Sequence, residues 1–196
     1  MFTKEELKQV ISGEAIGHVF PYHTNNPQEI EAHIRRLFYH LKRIPNLIIE
    51  AEWDHFGSGY ASFVELYCYR KEDVTVLEEW RDIQEIQING MIINVCRLAP
   101  VVIMGEDERS RKYRKSTGEV LSGGSGTLLD GLHRLQLTEK FKCLEQQIIQ
   151  TLEEFDYQVL DQKVAELPLD FRTSIATLYR DSREYKVMDA LFYWED

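Results

Sequence analysis

Three short stretches set an indole among carboxylates: Glu50-Ala51-Glu52-Trp53-Asp54, Glu78-Glu79-Trp80-Arg81-Asp82 and Trp194-Glu195-Asp196. An indole face attracts cations and offers a large rigid contact area, and carboxylates pair the same positive charge. Glu52, Trp53, Asp54, Glu79, Trp80 and Asp82 are therefore the candidate residues for gripping an arginine- or lysine-rich partner. The plainer account makes the indoles core residues at strand ends, where polar neighbours are ordinary. Nothing in the sequence puts all three on one surface.

A second stretch could hold an anion. Ser122-Gly123-Gly124-Ser125-Gly126-Thr127 precedes a helical pattern, and Arg109-Ser110-Arg111-Lys112-Tyr113-Arg114-Lys115 lies upstream. Glycines let backbone N–H groups converge on a phosphate, and a helix N-terminus adds its dipole. The candidates for that chemistry are Arg111, Arg114, Ser122, Gly124, Ser125, Gly126 and Thr127. The run lacks the lysine–hydroxyl ending of a P-loop and the spacing of a dinucleotide fingerprint. A surface loop with a Ser125 or Thr127 helix cap is the plainer account.

Catalytic groups are harder to assemble. Asp54 and His55 are adjacent, but neighbours on a strand point to opposite faces. Gly-x-Ser-x-Gly, His-Glu-x-x-His and Cys-x-x-Cys are absent. His18, His23 and His55 could meet Asp54 on a metal, yet no spacing fixes that geometry. His33 and His40 lie too far apart along one helix to chelate one ion easily. No catalytic residue, metal or cofactor is assigned, and the expectation leans away from an enzyme.

Composition narrows the partners. The 196 residues carry a formal net charge of −10, which disfavours nucleic-acid phosphates and anionic lipid. Setting aside the five cations of residues 109–115 leaves 18 of the 23 lysines and arginines against 33 acids, or −15 for the rest of the chain. An extended basic footprint is thereby disfavoured, and a basic protein is the favoured partner. Cys68, Cys96 and Cys143 are odd in number and widely spaced, which argues against a disulfide framework or a zinc site. The N-terminal residues are polar, with no secretory apolar region, and no apolar run reaches the length of a membrane span. These features point to a reduced, cytoplasmic compartment.

The elements that would position these groups follow from pattern. Thr3 and Glu6 form a capping box ahead of Leu7, Val10 and Ile11. Asn26 and Pro27 open a second helix with a stripe of Ile30, Ile34, Leu37, Phe38, Leu41 and Ile44, stopped by Pro45. Ile49, Ala51 and Trp53 alternate with acids, as in a half-buried strand. Residues 55–59 read as a turn, 60–70 as a strand covered on both faces, and 74–77 as a third strand. Asn89-Gly90 between residues 85–88 and 91–95 predicts a type I′ hairpin. Pro100 bends the return strand. Residues 105–126 read as a flexible polar excursion, and 128–155 as a second long amphipathic helix with a break near Gly131 or Thr138. Residues 157–160 suggest a short strand. Residues 174–179 and 185–194 suggest a final hairpin turning at 181–184, although Val187, Ala190, Leu191 and Trp194 also fit a helix.

Hairpins in succession with segregated helices predict an α+β fold: an antiparallel sheet with two long amphipathic helices packed on one face, in a single domain over 1–196. The functional expectation is a non-enzymatic protein-interaction module with an acidic and aromatic surface for a basic partner. A toxin-neutralising immunity protein is its narrowest form. The alternatives are an enzyme or sensor of a phosphorylated small molecule at residues 122–127, and a subunit of an oligomeric assembly.

Overall fold

A computed structural model of the chain describes residues 2–177 and 185–195. The architecture is α+β and is organised by two long antiparallel strands of 14 residues each. The helices are α1 (Lys4–Ile11), α2 (Pro27–Leu41), α3 (Lys142–Glu154), α4 (Gln162–Ala165) and α5 (Val187–Leu191). The strands are β1 (Ile48–Glu52), β2 (Tyr60–Ala61), β3 (Phe63–Tyr69), β4 (Val74–Trp80), β5 (Ile83–Cys96), β6 (Val101–Arg114), β7 (Val120–Gly124), β8 (Gln158–Val159) and β9 (Trp194–Glu195). The main sheet runs β1-β3-β5-β6-β7. β4 continues the line of β3 along the same edge of β5, and β8 joins β6 in parallel. β2 and β9 form a separate antiparallel pair.

The sheet is covered on both faces, not one. Side chains alternate across a strand, and β3 shows what that does. Val64, Leu66 and Cys68 join Ile30, Ile34, Leu37 and Leu41 of α2 and Leu144, Ile148 and Leu152 of α3. Phe63, Tyr67 and Tyr69 face the other way, into a cluster with Leu7 and Val10 of α1 and Val187, Met188 and Leu191 of α5. Among the described residues three helices have eight or more residues: α1, α2 and α3. Local chemistry sets their starts. Thr3 and Glu6 close a reciprocal capping box on α1, and the Asn26 side chain accepts from the amides of Gln28 and Glu29 ahead of Pro27.

Four sequence expectations are corrected. Asn89-Gly90 is no turn: Asn89 pairs with Glu108 and Gly90 with Asp107 inside an unbroken β5–β6 ladder. Gly90 is there for room, since a Cβ would lie 2.6 Å from Cζ of Tyr67. The turn is Arg81-Asp82, between the paired Trp80 and Ile83, with Arg81 at φ 52°.

Residues 105–126 are not an irregular excursion. They complete β6, turn, and return as β7, with Tyr113 opposite Val120 and Lys112 opposite Ser122.

The helix expected over 128–155 begins only at Lys142. Before it come 3-10 turns at Leu128–Asp130, Leu132–Arg134 and Glu139–Phe141. The reason is topological. Leu128, Leu129 and Leu132 belong to one cluster, whereas Phe141, Leu144 and Ile148 belong to the other. One straight helix cannot reach both sides of a sheet. The chain crosses between Leu135 and Leu137, where the Glu106 amide donates to the Gln136 carbonyl.

The second strand of the expected final hairpin is replaced by α5, whose five residues are all buried, and residues 178–179 of its first strand lie outside the described residues. Trp194–Glu195 then pairs with Tyr60–Ala61. The turn expected at 181–184 lies outside the described residues.

Candidate functional site

A cavity of about 780 Å³ lies beside the first half of α2. Four segments build it. The capped start of α2 presents Gln28, Glu31, Ala32 and Arg35 on one wall. Their spacing of three and four places them on a single helical face, beside the stripe that α2 buries against the sheet. The β1–β2 connection adds Trp53 and His55, and the start of β2 adds Tyr60. The β5–β6 turn adds Arg97 and Leu98, and the loop between α1 and α2 adds Gly13, Ala15 and Asn25.

The β1–β2 connection is tightly specified. His55, Phe56 and Gly57 all have positive φ, at 51°, 60° and 83°. For non-glycine residues that region costs about 1–2 kcal/mol each. Several contacts hold it. Glu52 accepts from the amides of Asp54 at 2.7 Å and Phe56 at 3.3 Å. The Phe56 ring lies 5.0 Å from that of Trp194, whose indole N–H donates to the Ser58 carbonyl. The amide of Ala61 donates to Nδ1 of His55 at 2.9 Å. With Nδ1 accepting, Nε2 is the ring nitrogen left to donate.

Charge in the cavity is a triad. Arg97 donates from Nε to the Phe63 carbonyl at 3.3 Å and from Nη2 to the Trp53 carbonyl at 3.1 Å. Its Nη1 pairs with one oxygen of Glu31. The other oxygen takes Nη2 of Arg35 at 2.9 Å. The Arg35 guanidinium lies 4.1 Å above the Trp53 ring, and Phe38 meets that ring edge-on at 5.7 Å. Tyr60 packs 5.3 Å from the His55 ring. Burial pushes its phenol up to about 12, with Cys96 adding to the shift and Arg97 opposing it. Its hydroxyl therefore keeps its proton at neutral pH, and it has no hydrogen-bond partner among the described residues.

The carboxylate–indole candidates are divided between two ends of the sheet. Trp53 follows the Glu52–Glu65–Asn94 rung, and Trp80 sits on the Ile83 rung. Asn94 and Ile83 are eleven residues apart along β5, about 36 Å at roughly 3.3 Å per residue. Trp53 lines the cavity, Glu52 caps the turn and Asp54 is exposed. At the far end Glu79 pairs with Lys115 at 2.6 Å, and Asp82 accepts from the amide and hydroxyl of Ser116. Trp80 is 58% exposed, with Arg81 4.4 Å above its ring. Both indoles thus already carry an arginine of this chain.

Three of the anion candidates, Arg111, Arg114 and Gly126, are engaged by internal carboxylates. Arg111 pairs with Glu50 at 2.8 Å and Arg114 with Glu119 at 3.0 Å. Ser122 and Gly124 lie in β7 opposite Lys112 and Ser110, and Ser125 is exposed. Thr127 caps a 3-10 turn through the Leu129 amide. The Gly126 amide does bind an anion, the buried Asp107 carboxylate at 3.1 Å. Asp107 also receives Nε of Arg109 at 3.0 Å, and Arg109 reaches Glu65 at 2.6 Å while lying 3.9 Å above Tyr67. Burial raises the Glu65 carboxyl, and Arg109 offsets that only in part. At Glu50 burial pushes the same way, but the hydrogen bonds from Arg111 and Tyr69 outweigh it and hold the group below its usual range.

Sequence reasoning missed Glu31, Arg35, Tyr60 and Arg97, and weighed His55 as a neighbour of Asp54, as a metal ligand and as a loop histidine, but not as a wall of this cavity. One signal was available: Glu31 and Arg35 form an i,i+4 pair beside an apolar stripe. Arg97, between Cys96 and Leu98, was another, a lone cation at the end of a buried run. No family model, curated protein or solved structure matches the chain. Among the described residues no group of three or more histidines, cysteines and acids is placed to hold a metal ion, and no helix is long and apolar enough to cross a membrane.

Proposed function

We propose that the chain is a binding protein whose ligand occupies the cavity beside α2. The observation that carries this reading is the cavity itself. Its volume of about 780 Å³ falls within the ordinary range for small-molecule sites. Its walls combine apolar groups, namely Ala15, Pro27, Ile30, Trp53 and Leu98, with a few placed polar ones. Such a mixture gives affinity from burial and orientation from hydrogen bonds.

The test is a thermal-shift screen of small organic ligands against the wild type and Ala32→Trp. Ala32 is an exposed wall residue of α2, so a larger side chain there fills the cavity without entering the core. Ligands that raise the wild-type melting temperature should fail to raise that of the variant. Equal shifts in both proteins would place binding elsewhere.

A basic protein partner is the second reading, favoured by the exposure of Trp80 and of Val76, Leu77, Val120 and Leu121 at the far end of the sheet in an acidic chain. It predicts association that weakens steeply with salt and is lost in Trp80→Ala. Salt-independent association, or none with basic proteins at low ionic strength, counts against it.

A further inference from the structure

We infer that the ligand of the α2 cavity is a small organic monoanion with an apolar body, such as an aromatic carboxylate; this rests on the ligand-binding reading above. The acids and permanent cations lining the cavity are Glu31, Arg35 and Arg97, and His55 accepts the Ala61 amide at Nδ1. Both oxygens of Glu31 are occupied, one by each arginine. The triad therefore keeps one uncompensated positive charge.

The remaining hydrogen-bonding capacity is mainly donor. A guanidinium has five N–H groups, and Arg35 uses only one nitrogen, Nη2, in its ion pair with Glu31. His55 offers Nε2–H and Tyr60 its hydroxyl. The carboxylate of Glu31, the one acid in the lining, is already used. A ligand that completes this site must accept hydrogen bonds and bring negative charge.

The size of that charge follows from the same count. A monocarboxylate neutralises the excess. A phosphate monoester, carrying close to two charges, would leave about one unpaired charge in a part-buried site, and such charges are costly. A cationic ligand or an arginine side chain would meet the excess with like charge. The chain's overall −10 acts against anions at long range. Selection for an anion must therefore come from these placed donors, and it should respond to changing one of them.

Isothermal titration of the full chain with 2-naphthoate, 2-naphthamide and 2-naphthyl phosphate tests this. The three share one apolar body and differ in charge. The carboxylate should bind at least about tenfold more tightly than either of the others, which is about 1.4 kcal/mol. Arg35 is 48% exposed on its side chain, so Arg35→Gln should fold normally. That variant should lose about tenfold in naphthoate affinity with naphthamide unchanged, and Arg35→Lys should recover part of the loss. Equal binding of acid and amide, or preference for the phosphate, overturns the monoanion inference and leaves the cavity reading intact. Failure of all three to bind at about 1 mM, the weak end of ordinary affinities, also overturns it. If the ligand screen is empty as well, the binding reading falls with it.

Discussion

His33 is a histidine whose protonation the fold opposes. Its ring lies among Phe20, Phe155 and Tyr157, with centroids 5.8, 5.4 and 5.7 Å away. Nε2 is 3.1 Å from the Phe155 carbonyl and donates to it, while Arg36 approaches Nδ1 at 3.4 Å. Burial holds the ring below the ordinary histidine value; the Phe155 carbonyl works against that, and Arg36 reinforces it. A second proton would land on Nδ1, facing the guanidinium. In the unfolded chain the imidazole titrates near its ordinary value of about 6.5. Below that pH the unfolded state binds more protons than the native state, so this group's contribution is present above about 6.5 and is lost as pH falls through its lower native value. Denaturant unfolding at about pH 7.5 and pH 5 should show a smaller acid loss in His33→Gln than in the wild type. Gln keeps a donor for Phe155 without the titration. Equal acid losses in the two proteins would assign the pH dependence to groups other than His33.

Among the elements, β5 separates what local chemistry reveals from what it hides. The starts of α1 and α2 were legible because a cap and its helix lie within a few residues: Thr3 with Glu6, Asn26 with Gln28. Asn89-Gly90 misled because its glycine answers to Tyr67, 23 positions back in the chain, and not to a turn. The polar residues of β6 looked like loop for a similar reason. Their partners are distant, Arg111 with Glu50 at a separation of 61 and Arg109 with Glu65 at 44. The cavity was less legible still, since four separate segments meet there and only Trp53 among the singled-out indoles reaches it. The two assignments of Asn89-Gly90 differ in what they tolerate. In a strand Asn89→Thr should change stability by no more than about 0.5 kcal/mol, because a β-branched residue suits an extended backbone. In a type I′ turn the same residue would be forced to positive φ at clear cost. Gly90→Ala should cost about 1–3 kcal/mol as Tyr67 is driven from its place. Urea unfolding of both variants checks the pair, and a strongly destabilised Asn89→Thr would contradict the continuous strand.

At the scale of the whole molecule, the sheet is one framework with two environments. Near Met91, Ile93 and Val95 it is sandwiched between α2 with α3 on one side and α1 with α5 on the other. Tyr22 and Tyr157 close that region from inside, the Tyr22 hydroxyl donating to the Cys96 carbonyl at 2.6 Å. Toward Arg81-Asp82 the same strands run on without that cover. β4 is exposed over six of its seven residues and β7 over all five. Exposed ion pairs such as Lys115–Glu79 and Arg114–Glu119 hold this end, and pairs of that kind contribute little. Local opening free energy follows buried apolar contact and backbone shielding. Amides of residues 64–68 and 91–95 should therefore exchange with solvent only on global unfolding. Amides of residues 75–79 and 120–124 should exchange through cheaper local opening, at least tenfold faster and with weaker dependence on denaturant. Hydrogen exchange resolved along the chain reads both zones in one experiment. Uniform protection across β3, β4, β5 and β7 would mean that the exposed end is stabilised by something beyond its own contacts, and the ring of Trp80 is where a partner would then be sought.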